Sequence, residues 1–281
     1  MNQRITVYEP DNSIKKGCRS VFAEIVNEFR DNYWLTYQLF KRDFLSIYKQ
    51  SFMGIFWAFI IPIVSVGTFV ILNRSGLFSV GEMKVPYPIY AVLGLSFWQL
   101  FSTSLVASSN SLVRAGSMIT QINFSKKSLV IASAGQSLIP FLIQFALVII
   151  LFFFYRYVPS SAILLVPVLI LPVVWLTLGL GFILSILNGV IRDIGNVMSL
   201  LLTFFMFLTP VLYAKPKTGI LMHITKYNPM YYLISGPRDL ILMGAAPETG
   251  GFLISSCASF VIFVICLLTF HLTETRITER V

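Results

Sequence analysis

Charge is what this sequence has least of. Only 12% of its 281 residues are Asp, Glu, Lys or Arg, too few to clothe a water-soluble domain of that length. Catalytic motifs are missing as well. No GxxxxGK[ST] phosphate loop occurs, so the chain does not cradle and hydrolyse ATP by that route. HExxH, a GxSxG elbow and paired-carboxylate clusters are also absent, which leaves metal-assisted hydrolysis and serine-nucleophile chemistry without a site. The three cysteines, Cys18, Cys257 and Cys266, form no CxxC pair and read as free thiols, against a disulfide framework or a thiolate metal site. The two histidines, His223 and His271, lie far apart at the margins of apolar runs and read as structural. No apolar core follows the first charges, so a cleavable signal peptide is not expected and insertion must rely on the first span. A net charge of +9 accompanies neither a continuous basic stripe nor a stacking motif, which argues against nucleic acid and assigns the cations to headgroups, topology and partner contacts.

What is there is hydrophobic length. Apolar residues make up 56% of the chain and aromatics 15%. Between Lys49 and Arg74 run 24 uncharged residues, more than the roughly 20 that a helix needs to cross a hydrocarbon core. Later uncharged runs cover residues 85–113, 128–155, 157–191, 194–214 and 249–273. Each is long enough for one crossing. The expected fold is therefore all-α, with six spans near 53–72, 88–107, 129–154, 168–191, 195–213 and 251–271. They form one membrane domain over 51–273, between a tail at 1–20 with a helical region at 21–50 and a C-terminus at 274–281. The spans hold almost no ionisable groups, which weighs against a proton- or ion-coupled carrier. Pro62 inside the first span predicts a bend supported by neighbouring helices.

Ahead of that span, Tyr33, Tyr37, Phe40, Phe44 and Ile47 recur at steps of three and four, while Lys41, Arg42 and Lys49 mostly fall on other faces. That pattern predicts an amphipathic helix lying in the interface, with Tyr37, Lys41, Arg42 and Lys49 as its anchors. With the N-terminus inside, inner segments carry 14 Lys and Arg against 7 outside, so both termini are expected in the cytoplasm. The apolar pieces between Lys215 and Glu248 are each too short to span. Both a re-entrant pair lining a pathway and a surface cap remain open for them. Of the aromatics in or beside spans, Trp57, Phe204, Phe207, Tyr213 and Tyr231 are the candidates for a passage in which rings stack on sugars. At 100° per residue Phe204 and Phe207 share a face that Phe205 leaves.

Several phrases carry a resemblance. Arg42-Asp43, Tyr48-Lys49, Ser51, Gly54, Trp57 and Pro62 stand in the order and spacing that opens the membrane subunits of bacterial ABC exporters for O-antigen, capsule and teichoic acid. Ile122-Asn123-Phe124-Ser125-Lys126-Lys127, Arg192-Asp193, Thr209-Pro210-Val211 with Tyr213, Asn228-Pro229 and Arg238-Asp239 follow in family order. The chain departs from the pattern at Ser125, where proline is usual, at Thr120 and Gln121, where two basic residues are common, and at Pro237. The resemblance implies a homodimer around a central passage for a lipid-linked glycan, in the bacterial inner membrane and in contact with its lipids. It further implies a separate nucleotide-binding ATPase subunit that carries ATP and Mg. In such exporters the 108–128 loop forms a coupling helix, here Arg114, Met118, Ile119, Gln121 and Asn123. On this reading the chain is a transport subunit with no catalytic residue, cofactor or metal of its own. A drug or small-lipid exporter is the related alternative. A membrane-embedded transferase, the alternative of a different class, would need clustered polar residues at a membrane face. A channel without energy coupling is the remaining reading.

Overall fold

The computed structural model describes residues 18–49, 56–75, 85–116, 125–216 and 218–277, and among them there are helices and turns but no strand. Among the described residues, four helical stretches are long and apolar enough to cross a membrane: Tyr87–Ser109, Lys126–Phe154, Ser161–Val190 and Thr249–Glu274. The elements in chain order are α1 (Cys18–Asp31), α2 (Tyr33–Lys49), α3 (Trp57–Arg74), α4 (Tyr87–Ser109), α5 (Ser111–Ala115), α6 (Lys126–Gly135) and α7 (Leu138–Phe154). A 3-10 turn at Ser161–Leu165 leads to α8 (Val166–Leu169), α9 (Leu171–Val190), α10 (Ile194–Leu208), α11 (Ile220–Tyr227), α12 (Pro229–Met243) and α13 (Thr249–Ile277).

Helix α4 is the axis of the bundle. Its sequence is apolar or small on every face, and Ile89, Leu93, Phe97 and Ser108 are fully shielded from solvent. A helix without a polar stripe has to be covered all round, and here α3, α6, α7, α9, α10 and α12 supply the cover. Small residues allow the closest approaches. A Cβ on Gly181 of α9 would lie 2.6 Å from Ser108 Cβ, and one on Gly179 would lie 2.9 Å from Phe263 Cα of α13, the tight backbone contact by which helices associate in lipid. Trp175–Phe260 and Phe182–Phe270, each with centroids 5.0 Å apart, fill the rest of the α9–α13 seam. Gln144 of α7 is buried and its amide nitrogen donates to Gln99 of α4, a polar contact between those two helices.

Proline and asparagine set the element boundaries. The long uncharged run at 157–191 is a 3-10 turn, a single helical turn and then α9, and Pro167 and Pro172 both stand in the first turn of a helix, where a missing N–H costs nothing. The run that contains α6 and α7 breaks at Gln136-Ser137. After Leu208 the chain leaves the helix through Thr209-Pro210-Val211. Asn228 caps α12, its side-chain oxygen accepting the Met230 N–H at 3.0 Å with Pro229 next in line. Gly244 closes α12 with φ 73°, a left-handed conformation that glycine adopts freely. Pro237, the departure noted above, is accommodated inside α12 and is buried.

Large apolar side chains remain on the outside. Leu200, Phe204 and Phe207 of α10, Ile61, Ile63 and Val64 of α3, and Leu253, Ile254 and Val261 of α13 are all more than half exposed. Such a belt is stable only against lipid or another apolar surface.

Candidate functional site

Three places in the bundle concentrate polar groups. At the end of the molecule where α4 begins, the phrases Thr209-Pro210-Val211, Asn228-Pro229 and Arg238-Asp239 converge on one guanidinium. Arg238 is 2% exposed. Its Nη1 donates to Val211 O at 2.9 Å and reaches Pro210 O at 3.5 Å. Its carbon centre stands 3.8 Å from the centroid of the Tyr90 ring, a cation–π stack. Asn228 Nδ2 donates to Thr209 Oγ1 at 2.8 Å, and Tyr90 Oη donates to Tyr213 O at 3.3 Å. Gly94 makes room for all this, since a Cβ there would come within 2.6 Å of Val211 O. Burial pushes the Asp239 carboxyl up, against the pull of Arg238. The planar fork of arginine suits two carbonyls that leave the end of a helix. These motif residues therefore clamp α12 and the 209–213 turn onto α4.

The second place is a groove of about 400 Å³ between α4 and α10. Trp98, Ser102 and Thr103 of α4, Arg114 of α5, and Ser199, Thr203 and Met206 of α10 line it. Thr103 Oγ1 donates to Gln99 O at 2.5 Å and Thr203 Oγ1 to Ser199 O at 3.0 Å, which leaves both oxygens free to accept. Trp98 is held at the base by Phe101 and Phe205, with centroids 5.7 and 5.9 Å away. Val106, Ala107 and Leu202 complete a lining that is mostly apolar, with the indole, four hydroxyls and one guanidinium set along it.

The third place lies at the opposite end from Arg238, where α1, α6 and α13 meet. Lys127, 1% exposed, donates from Nζ to Glu28 Oε2 at 2.6 Å and to Glu274 Oε2. Glu274 Oε1 accepts the Lys126 backbone N–H at 2.5 Å, and Lys126 Nζ donates to Glu274 O at 2.8 Å. His271 Nδ1 lies 3.9 Å from Glu28 Oε2, buried and with no hydrogen-bond partner among the described residues. Glu28, His271 and Glu274 bring their ligand atoms within 4.8 Å of one another, yet the Lys127 ammonium already bridges the two carboxylates that a metal ion would need. Just beyond, Asn188 Nδ2 donates to Ser109 O at 3.0 Å and Asn110 Oδ1 at 3.1 Å, and Asn188 Oδ1 accepts the Gly195 N–H at 2.9 Å.

The residues singled out in the sequence are dispersed over this frame. Phe204 and Phe207 are exposed on α10 beside the groove, while Phe205 turns inward onto Trp98. Trp57 is half-exposed on α3. Tyr213 Oη donates to Phe207 O at 2.7 Å. Tyr231 is buried under Lys215, whose Nζ lies 5.2 Å from the ring centroid, and burial raises its phenol well above the usual range. On α2, Tyr37 and Lys41 are exposed, Arg42 pairs with Asp43 at 2.8 Å, and Lys49 ends the helix. Leu39 and Phe40 of α2 turn inward, whereas Tyr33, Trp34 and Tyr37 face out. Arg114 ends α5 at the groove. Met118, Ile119, Gln121 and Asn123 lie outside the described residues. Sequence reasoning met Lys127 only as part of a family phrase and overlooked Glu28, Glu274 and Asn188. A lone asparagine within an apolar run was the available signal for the last of these, whereas the ion cluster joins segments too distant in sequence to signal each other.

Among the described residues, a helical bundle with four membrane-length apolar helices defines a multi-pass membrane protein. The sequence profile of the ABC-2 type transporter family matches residues 35–242, and the chain belongs to that family. It is similar to the O-antigen export system permease protein RfbA of Myxococcus xanthus, at 29% identity over 67% of this chain and 72% of the relative. Two proteins of that name from Klebsiella pneumoniae are 26% identical over 73% of this chain and 78% of each relative.

Proposed function

We propose that this protein is the membrane subunit of an ATP-driven exporter of a lipid-linked, O-antigen-like polysaccharide across the bacterial inner membrane. The observation that carries this reading is the family match over most of the chain, shared with relatives named for O-antigen export. ATP and Mg belong to a separate ATPase subunit, and the stretch from Arg114 into the 117–124 segment is its docking element. Two copies of the chain pair, with exposed apolar faces of α3 and α10 available for the contact. Six crossings are our reading: α1, the start of α6 and the end of α13 share one end of the bundle, which supports an even number, and α3 and α10 would add to the four long helices. That shared end is the cytoplasmic one by the distribution of Lys and Arg. The α4–α10 groove sets four hydroxyls and Arg114 on an otherwise apolar lining, which suits an amphipathic ligand such as a lipid-linked sugar.

The tagged protein should be recovered with an ATPase under mild extraction, and cells lacking it should hold lipid-linked glycan inside while losing surface polysaccharide. Thr103→Leu and Thr203→Leu replace exposed hydroxyls in the groove and should lower export per assembled complex at least about fivefold, with ATPase attachment kept. Unchanged export in both variants would remove the groove from the passage. Recovery of the native protein as a lone oligomer with normal surface glycan in the null strain would favour a membrane enzyme or channel instead.

A further inference from the structure

Helix α6 is the first element after the 117–124 segment, and it has an unusual beginning. Its N-cap residue, Ser125, makes no side-chain cap bond. The cap comes instead from Glu274, 148 residues away on α13, whose Oε1 accepts the Lys126 N–H while Oε2 accepts from Lys127. The same ammonium reaches Glu28 on α1. The other end of α6 is keyed too. Gln136 Nε2 donates to Asp43 Oδ2 of α2 at 3.1 Å, and Phe40 of α2 packs on Gly135, its ring 3.3 Å from where a Cβ would stand. Helix α6 is thus gripped at its start by α1 and α13 and at its finish by α2, which leads towards α3.

A buried ion cluster of this kind adds little stability over a well-packed apolar one. What it adds is register. An apolar seam tolerates a small slide, but Lys127 is almost wholly enclosed and cannot move along its axis without stranding an ammonium and two carboxylates. Any displacement delivered to the start of α6 must therefore carry α1, α2 and the end of α13 with it.

We propose that Lys127 and Glu274 are positioning residues for energy coupling: they make α6, the α1–α2 pair and the end of α13 one rigid body that passes motion from the 117–124 segment to the first span. The inference rests on the reading that this segment meets the ATPase. The polar atoms that define it are Lys127 Nζ, Glu28 Oε2 and both oxygens of Glu274.

The test uses the full permease co-purified with its ATPase and returned to lipid with the lipid-linked glycan, and reads glycan exported per ATP hydrolysed. Glu274→Ala should leave ATPase attachment within about twofold of the native complex but lower export per ATP about tenfold, the size of a typical coupling between sites. Glu274→Gln keeps an oxygen for the Lys126 N–H and should show a smaller drop. A merely structural role would change the amount of complex and leave that ratio alone. Native export per ATP in both Glu274 variants, or in Glu274→Gln where the alanine variant fails to assemble, overturns the proposal. Absence of an ATPase from the native preparation is a different result, which overturns the functional reading and this inference with it.

Discussion

The two most enclosed cations among the described residues, Arg238 and Lys127, sit at opposite ends of the bundle and are held by different means. Arg238 is held mainly by two backbone carbonyls and the face of Tyr90, with the Asp239 carboxyl at the longer distance of 3.5 Å. Lys127 sits between two full negative charges from helices at the two extremes of the chain. A delocalised guanidinium is weakly hydrated and can be satisfied by dipoles, whereas an ammonium is a compact, strongly hydrated charge that needs carboxylates once water is gone. The Arg238 end is accordingly a local clamp, built from residues 90–94 and 209–239. The Lys127 end is a junction between segments that otherwise share little.

That difference predicts unequal costs when either cation is removed. Lys127→Met should be the most damaging change, because it leaves Glu28 and Glu274 facing one another and an unpaired buried charge costs about 3–5 kcal/mol. The extracted protein should unfold at a clearly lower temperature and assemble poorly. Arg238→Met strands two backbone carbonyls, at about 1–3 kcal/mol for a buried acceptor, and removes only a long 3.5 Å contact from Asp239, so it should fall between the lysine variant and the native protein in the same melting experiment. Equal losses from the two would show that water reaches Glu28 and Glu274 and that the two ends differ less than their partners suggest. Smallest of all should be Tyr90→Phe, which keeps the ring beneath Arg238 and gives up only the 3.3 Å bond to Tyr213 O, worth less than about 1 kcal/mol. A loss as large as that of Arg238→Met would mean that the hydroxyl, not the ring, holds the 209–213 turn.

The groove and the exposed aromatics illustrate how helical phase and actual surroundings part company. The phase of α10 separated Phe205 from Phe204 and Phe207 correctly as geometry, and Phe205 is the one packed on Trp98. What phase could not supply was the neighbour. The concave side of α10 is the one carrying Ser199, Thr203 and Met206, because α4 lies against that side. A similar gap separates the two roles of α2. Its aromatic periodicity is visible in the chain, yet Phe40 serves α6 while Tyr33 and Tyr37 face outward, a division that depends on where α6 runs.

By itself the sequence determined that the chain is helical and belongs in a membrane. Long uncharged runs have no other stable home, and in hydrocarbon the backbone must satisfy its own hydrogen bonds, which a single helix does locally. It also carried the family phrases, in order and at their spacing. Only the tertiary structure decided what those phrases do. Arg238 and Asp239 follow one another in the chain, but the carbonyls of Pro210 and Val211 and the ring of Tyr90 reach the guanidinium from two other segments. Likewise Lys126 and Lys127 read as two more basic residues in a cytoplasmic loop until Glu28 and Glu274 are brought against them. The reason is the range of the interactions. Crossing a bilayer depends on the mean hydropathy of about 20 consecutive residues, whereas desolvating a charge depends on a partner within a few ångströms, and in this protein those partners are supplied by parts of the chain up to 148 residues apart.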